Sequence, residues 1–526
     1  RGRIAEERAI RIARTSDGDR LDRALREARL LWPATPARVP DMDDWLEDLG
    51  ESLESNLELH RAALEDLRAR ALPYTPEDAE RDLEQHPEQT RLAAAREELI
   101  RIEEILSGAR PAPPGAEAET RETYEGNRAS LMEFVAEWEQ VVAERTTWAY
   151  HDPELQEEHD DLAKLVERLE QFTDPDTGTL AEVRERRRAA LAVYRDTVED
   201  SEAAARWKAA RQAITANPRY RGLDLTPQVG LVPLAEDPHS GLWEFWHTDS
   251  GSEPERPSDP GAFNPWAIDA ESGVVLTLIP GGSYRIGAQA EDPAAPHYDP
   301  DAKALEGPVR EVELEPFFLS KYEMTQAQYQ RITGANPSGY KANFFWSGDP
   351  EQDEPVHSNE AWNPVEYDSW QNVTWAMTKT NLRLPTLEEW EVGARGGQGT
   401  PWWTGMDRAL MGDAGFGLPI GNLGDELTRA RGGPDYYSVN TWSDEFCIHA
   451  PVGNFPPNPY GLFDVFGNVA EMCSDYGIEF AGDNVIAACG GTYQSDAVDA
   501  RVTARGYQYD IDQSNQVGFR PARSVE

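Results

Sequence analysis

The sequence predicts an α+β protein in which an N-terminal helical bundle precedes a mixed domain with low regular secondary structure, and two observations predict it. Over residues 1 to about 215, Ala, Glu, Arg and Leu dominate, and apolar residues recur at helical spacing between proline- and glycine-rich breaks. Beyond that point the texture turns to Pro, Gly, Asn and aromatic residues in short alternating runs, which read as strands and ordered loop. A chain of 526 residues also exceeds what one core ordinarily serves. The expected organisation is a helical bundle or helical array over 1–215, a connecting segment with short strands over 216–264, and the loop-rich domain over 265–526.

In the first part the breaks are "LWPATPARVPD", "LPYTP", "GARPAPPGAEAE", "YHDPE" and "TDPDTGT". They leave room for about five to seven helices, and such short connectors favour antiparallel neighbours. Leu162, Leu165, Val166, Leu169 and Phe172 fall on one side of a helix, and "SNLELHRAALEDLRARAL" and "SLMEFVAEWEQVVAERTTW" carry similar stripes. These predict core. The chain opens on "RGRIAEERAI", without a methionine and with a helical pattern, which predicts an upstream portion.

The domain change comes at "NPRYRGLDLTPQVGLVPLAEDPHSGLWEFWHTDSG". Further on, "GVVLTLIPGGSYRIG" reads as two strands around a Pro-Gly-Gly turn. Helices are expected at "MTQAQYQRITG" and "TLEEWEVGARGG", where Thr386 and Glu389 have capping-box spacing. Trp390, Trp402 and Trp403 are expected in the core around the second of these.

A formal net charge of −46 argues against nucleic acid, whose phosphates require clustered Lys and Arg, and against an anionic membrane surface. It suits solubility, a basic partner or divalent cations. No apolar run reaches the ~18 residues of a membrane span, and no signal-peptide pattern is seen. The cysteines are Cys447, Cys473 and Cys489; Cys473 and Cys489 could pair, but free thiols in a reducing cytoplasm are the expected state.

Five phrases in order over the last 250 or so residues resemble the formylglycine-generating enzyme family, the sulfatase-modifying factor domain. They are "IPGGSYRIG", "EGPVREVELEPFFLSKYEMTQAQY", "LRLPTLEEWEVGARGG", "APVGNFPPNPYGLFDVFGNVAEM" and "GFRPAR". The resemblance implies a C-type-lectin-like fold often steadied by calcium. "RYRGLDLTPQVGLVPLAEDPHSGLWEF" resembles the run before this domain in bacterial proteins that fuse it behind a Ser/Thr kinase, although no kinase signature occurs in this chain. A bundle ahead of such a domain also raises the iron site of ergothioneine sulfoxide synthases. That site needs a His pair one helical turn apart, whereas His60, His86, His151 and His159 stand singly and read as exposed or capping.

In catalytic members of the family two cysteines after a Gly-Gly turn bind copper(I). Here the turn is Gly490, Gly491, Thr492, Tyr493 and the two positions hold Ser495 and Ala500, so no copper is expected. The resemblance places one Ca2+ on Asn422 and Asp444 with the carbonyls of Leu423 and Phe446. A second falls on Asp464 and Glu471 with the carbonyls of Gly467 and Val469. The segment after the turn lines a peptide groove in the family, which implies a binding face of Tyr493, Gln494, Ser495, Asp496, Asp499, Arg501, Tyr507 and Tyr509. Arg501 and Arg505 have a second reading as partners of core acids.

The expected function is therefore a non-catalytic protein- or peptide-recognition or scaffold module, part of a larger bacterial signalling or defence protein with an upstream effector such as a kinase. One alternative is an oxidoreductase of the same family that uses a different metal site. The other is a retroelement-diversified lectin-like binder, whose variation would be confined to residues 493–515.

Overall fold

The computed structural model describes residues 16–526 apart from 87–88, 108, 110–120, 144, 258–262, 342–359, 414, 416, 428–439, 441 and 481–482. The helical reading of the first ten residues lies outside these. Two compact units emerge, one of residues 16–28 and Asp44–Val183, the other of Arg29–Asp43 and Arg184–Glu526.

Helices in the first part run α1 (16–28), α2 (Val39–Trp45), α3 (Glu51–Ala69), α4 (Pro76–Gln85), α5 (Gln89–Ser107), α6 (Arg121–Ala143), α7 (Pro153–Thr173), α8 (Thr179–Tyr194) and α9 (Ser201–Ala216). These outnumber the five to seven expected because short helices form where proline was read as a break. Pro76 opens α4 behind the capping box of Thr75 and Asp78, at a position whose N–H would have no helical partner anyway.

In the first unit α3 packs on α7. The predicted stripe Leu162, Leu165, Val166, Leu169 and Phe172 is buried, as are Leu53, Leu57, Leu64 and Leu67 of α3. Two histidines correct the sequence reading. His60 is buried with its Nε2 on Asp17 Oδ2 at 2.9 Å, and His159 is buried beside the rings of Trp148 and Tyr150. Each lies on the inward side of its helix, so it is core rather than an exposed or capping residue.

The second unit holds eleven strands among the described residues: β1 (Leu231–Glu236), β2 (Trp243–His247), β3 (Val275–Ile279), β4 (Gly282–Ile286), β5 (Arg310–Leu314), β6 (Phe317–Ser320), β7 (Ala470–Phe480), β8 (Asp483–Cys489), β9 (Arg505–Tyr509), β10 (Val517–Gly518) and β11 (Ala522–Ser524). They form a five-stranded sheet of order β1-β2-β3-β6-β11, a four-stranded sheet of order β10-β7-β8-β9 and the pair β4-β5. The two strands read around Pro280-Gly281-Gly282 exist, but β3 and β4 go to different sheets instead of pairing. Gly281 lies too close to Pro316 and Leu314 for a side chain, so the turn hands the chain from one sheet to the other.

Helix α9 lays Trp207, Ala210 and Ile214 into the main core, where Trp207 meets Phe245 at 5.4 Å between ring centroids and Phe245 meets Phe318 at 5.1 Å. Helices α10 (Gln326–Thr333), α11 (Trp370–Lys379) and α12 (Leu387–Arg395) complete the unit. Both expected helices carry capping boxes, Thr325 with Gln328 and Thr386 with Glu389. Helix α12 packs against β4 and β7 and buries Trp390; Trp402 is also buried in this core, and Trp403 packs against it.

Candidate functional site

The Gly-Gly turn joins β8 to the segment that reaches β9. Gly490 and Gly491 adopt φ of 92° and 76°, and a β carbon on Gly491 would come within 2.9 Å of the Ala500 Cβ and 3.3 Å of the Ser495 Cβ. The two positions that the family fills with cysteine therefore converge on one point. Ser495 Oγ accepts the Thr492 N–H at 3.0 Å, and Ala500 is fully buried. Substituting Gly491→Ala, which adds both a strained φ and this collision, is expected to cost about 2 kcal/mol or more, read as a lower denaturation midpoint in urea.

Cys447, Cys473 and Cys489 are buried and in no disulfide; Cys489 sits opposite Glu471 in the β7-β8 ladder, and its hydrogen bond, together with burial, pushes the Cys473 thiol up. Among the described residues no three His, Cys, Asp or Glu side chains gather as a metal cluster.

The structure divides the expected binding face. Ser495 and Asp496 are half-buried, and Asp499, Tyr507 and Tyr509 are exposed. Tyr493, Gln494 and Arg501 are buried and do not belong to that face. Tyr493 lies edge-on to Tyr340 and His449 at 6.2 and 6.5 Å between ring centroids. Arg501 ties the segment down from below, through Nη1 and Nη2 to Glu306 at 2.7 and 3.0 Å and through Nη1 to Asp299, while Thr503 donates to Glu306 at 2.9 Å. Its second reading, as a partner of core acids, is the one the geometry supports. The backbone from 490 to 505 has no regular period, so sequence alone could not say which side chains turn inward.

A second group that sequence reading passed over lies beneath Tyr493. His449 Nδ1 accepts from Asn363 Nδ2 at 3.0 Å, and its Nε2 faces Glu366 Oε1 at 3.7 Å. Glu366 accepts the Tyr340 N–H at 2.7 Å. These groups brace the floor of the face.

The first calcium set fits a cation. Asn422 is fully buried, its Nδ2 donates to the Ile448 carbonyl at 2.9 Å and to Asn468 Oδ1 at 3.1 Å, and its Oδ1 has no partner. Asp444 is buried, and each carboxylate oxygen accepts one backbone N–H, from Leu423 at 2.8 Å and from Phe446 at 2.9 Å, which leaves further lone pairs. Burial pushes its carboxyl up to about 8, with the neighbouring Asp425 charge adding to the rise. A buried acid bonded to the backbone of Leu423 and an unspent amide oxygen on the preceding residue are both hard donors of the kind a calcium ion takes.

The second set does not fit as expected. Glu471 is taken by Arg520, with Nη2 to Oε1 at 2.6 Å and Nε to Oε2 at 2.8 Å, and by Trp390 Nε1 at 2.7 Å. The guanidinium already supplies the positive charge. Asp464, at φ 54°, accepts the Gly453 N–H at 2.6 Å and keeps one oxygen without a partner; burial pushes its carboxyl up to about 7. Gly467 locks this loop against the first set, since a β carbon there would fall 1.9 Å from the Asn422 carbonyl oxygen.

Residues 269–525 match the family model described as the Sulfatase-modifying factor enzyme 1-like domain. The chain is 32% identical over 249 residues to the formylglycine-generating enzyme of Thermomonospora curvata, covering 38% of this chain and 71% of that one. It is 27% identical over 296 residues to the inactive C-alpha-formylglycine-generating enzyme 2 of Bos taurus, covering 47% and 88%. It is also 27% identical over 214 residues to the serine/threonine-protein kinase pkn1 of Chlamydia pneumoniae, covering 39% and 28%. With the ordered phrases, the Gly-Gly turn and the converging pair behind it, these matches establish that the chain belongs to the formylglycine-generating enzyme family.

Proposed function

We propose that this protein is a non-catalytic recognition module, a formylglycine-generating-enzyme-like domain that has kept its binding segment and lost its copper chemistry. The observation that carries the reading is the convergence of Ser495 and Ala500 on Gly491 without a sulfur atom. Copper(I) requires soft thiolate ligands, and a hydroxyl bonded to a backbone amide and a buried methyl offer none. A relative whose own name calls it inactive, and another that is a kinase, support a role within a larger bacterial signalling or defence protein, with the recognition face serving an upstream effector. Among the described residues no helix is long and apolar enough to cross a membrane, and three buried thiols suit a cytoplasmic setting. We also assign one calcium ion to Asn422, Asp444 and the carbonyls of Leu423 and Phe446.

The test uses the full chain loaded with copper(I) and a cysteine-containing peptide, with aldehyde formation followed by mass spectrometry. No aldehyde is expected from the native chain. The doubly substituted chain Ser495→Cys, Ala500→Cys is expected to gain copper(I) affinity in a chelator competition, because the scaffold still brings the two β carbons together. Aldehyde formed by the native chain would show that the chemistry survives.

A further inference from the structure

Among the described residues the four-stranded sheet ends in an open edge, with strand β9 paired on one side only, to β8. Tyr509 donates its N–H to the Asp512 carboxylate at 3.1 Å and its carbonyl accepts the Asp512 N–H at 3.0 Å, so both point away from β8. The ladder bonds then fall to Gly506 and Gln508, opposite Ala488 and Ile486. Alternation turns the N–H and C=O of Arg505 and Tyr507 outward, and among the described residues no hydrogen bond takes them up. An unpaired row of this kind is a template for an extended chain.

The edge is also chemically polar from end to end. Arg505, Tyr507 and Tyr509 share one face of β9 by period two, and Tyr507 and Tyr509 are 37% and 42% exposed. At the Arg505 end lies a partly enclosed cavity of about 100 Å³, lined by Arg310, Leu387, Glu388, Glu391 and Arg505 among others. Its carboxylates, which include Glu306, are already matched, Glu306 by Arg501 and Thr503. Glu391 holds Arg395 at 2.9 Å and the Gly287 N–H at 2.7 Å, and Glu388 holds Arg310 at 2.5 Å. Arg505 makes a single 3.4 Å contact with Glu391. At the other end stand the carboxylates of Asp510 and Asp512.

We propose that β9 accepts the extended C-terminal tail of a partner protein as a fifth, antiparallel strand, with the tail's terminal carboxylate in the cavity on Arg505 and Arg310. An antiparallel guest ends at the start of β9, which is Arg505, and its upstream residues pass Tyr507, Tyr509 and the acids at 510 and 512. A parallel guest would bring its carboxylate to those acids instead. A partly closed cavity suits a chain end better than a strand running through. The charges select a tail with a basic residue a few positions before its free terminus.

This inference rests on the recognition reading and names its ligand class. A pool of random hexapeptides with free C-termini and the same pool with C-terminal amides are each passed over the full chain, and retained peptides are identified by mass spectrometry. The free-acid pool is expected to be retained about tenfold better, with Lys or Arg enriched upstream. Arg505→Ala is expected to reduce retention to the level of the amide pool, and Arg505→Lys to give an intermediate value. Tyr507→Pro removes an outward N–H and no ladder bond, so it is expected to fold and to retain less than Tyr507→Ala. Equal retention of both pools overturns the carboxylate site and leaves the recognition reading standing on its copper test. Retention of neither pool, or an Arg505→Ala chain that folds and retains as well as the native one, overturns the proposal as well.

Discussion

Arg520→Ala is expected to destabilise the second unit by about 3–5 kcal/mol, the cost of removing one partner from a buried ion pair. All five guanidinium N–H groups of Arg520 are used. Nε and Nη2 hold Glu471, Nη1 donates to the carbonyls of Ser320 and Lys321 at 3.0 and 3.1 Å, and Nη2 also donates to the carbonyl of Phe463 at 2.7 Å. Around it stand two further buried carboxylates, Asp464 and Glu323, and burial together with the charges of Asp464 and Glu471 pushes Glu323 well up. Truncation therefore strands three acids as well as three carbonyls, at the join between β6, β7 and the 463–469 loop. Arg520→Lys keeps the charge but cannot fork onto Glu471, so an intermediate loss is expected. Urea denaturation followed by tryptophan fluorescence reads both, and a loss below ~1 kcal/mol for Arg520→Ala would refute the account.

Calcium is expected to raise the melting temperature of the native chain, and a chelator to lower it. A ligand at a hundredfold excess over its Kd adds about 2.7 kcal/mol, which for a unit of this size corresponds to roughly 3–4 °C. Asp444→Asn should abolish the response, since it removes the charge beside the unspent Asn422 oxygen. Glu471→Gln should leave the response in place while lowering the baseline, because Glu471 is bound to Arg520 and outside the proposed cation site. Differential scanning calorimetry with calcium, with magnesium and with chelator separates these cases. An Asp444→Asn chain that still responds to calcium would move the ion elsewhere, and a native chain that does not respond would remove it.

Much of the site was legible one residue at a time, because the family phrases carry their positions with them. Ser495 and Ala500 were read as the vacated cysteine positions, and the fold brings them to one point over Gly491. Asp444, assigned to a cation by the resemblance, accepts the N–H of Leu423, the residue after Asn422. The errors share a cause. Tyr493 and Arg501 were placed on an exposed face because the family's segment after the turn lines a groove, yet their direction is set by Tyr340, His449, Asp299 and Glu306, which lie about 50 to 200 positions away in the chain. Glu471 was offered to a cation because nothing local shows that Arg520, 49 positions on, already holds it. His60 and His159 were read as exposed or capping because they stand singly, mostly near breaks in the helical pattern, although their positions on α3 and α7 face inward.

By itself the sequence determined where a helix begins at the capping box of Thr386, which stripe of α7 is buried, and which atoms the reactive positions lack. Each of these depends on contacts within about one turn or on the identity of a single side chain. Only the tertiary structure decided that β3 and β4 part into different sheets, that α9 meets Phe245 through Trp207, that Arg520 claims Glu471, and that β9 is left as an edge beside Arg505. Those outcomes depend on pairings between distant segments, and a side chain's chemistry does not reveal which of many compatible partners the fold will bring to it.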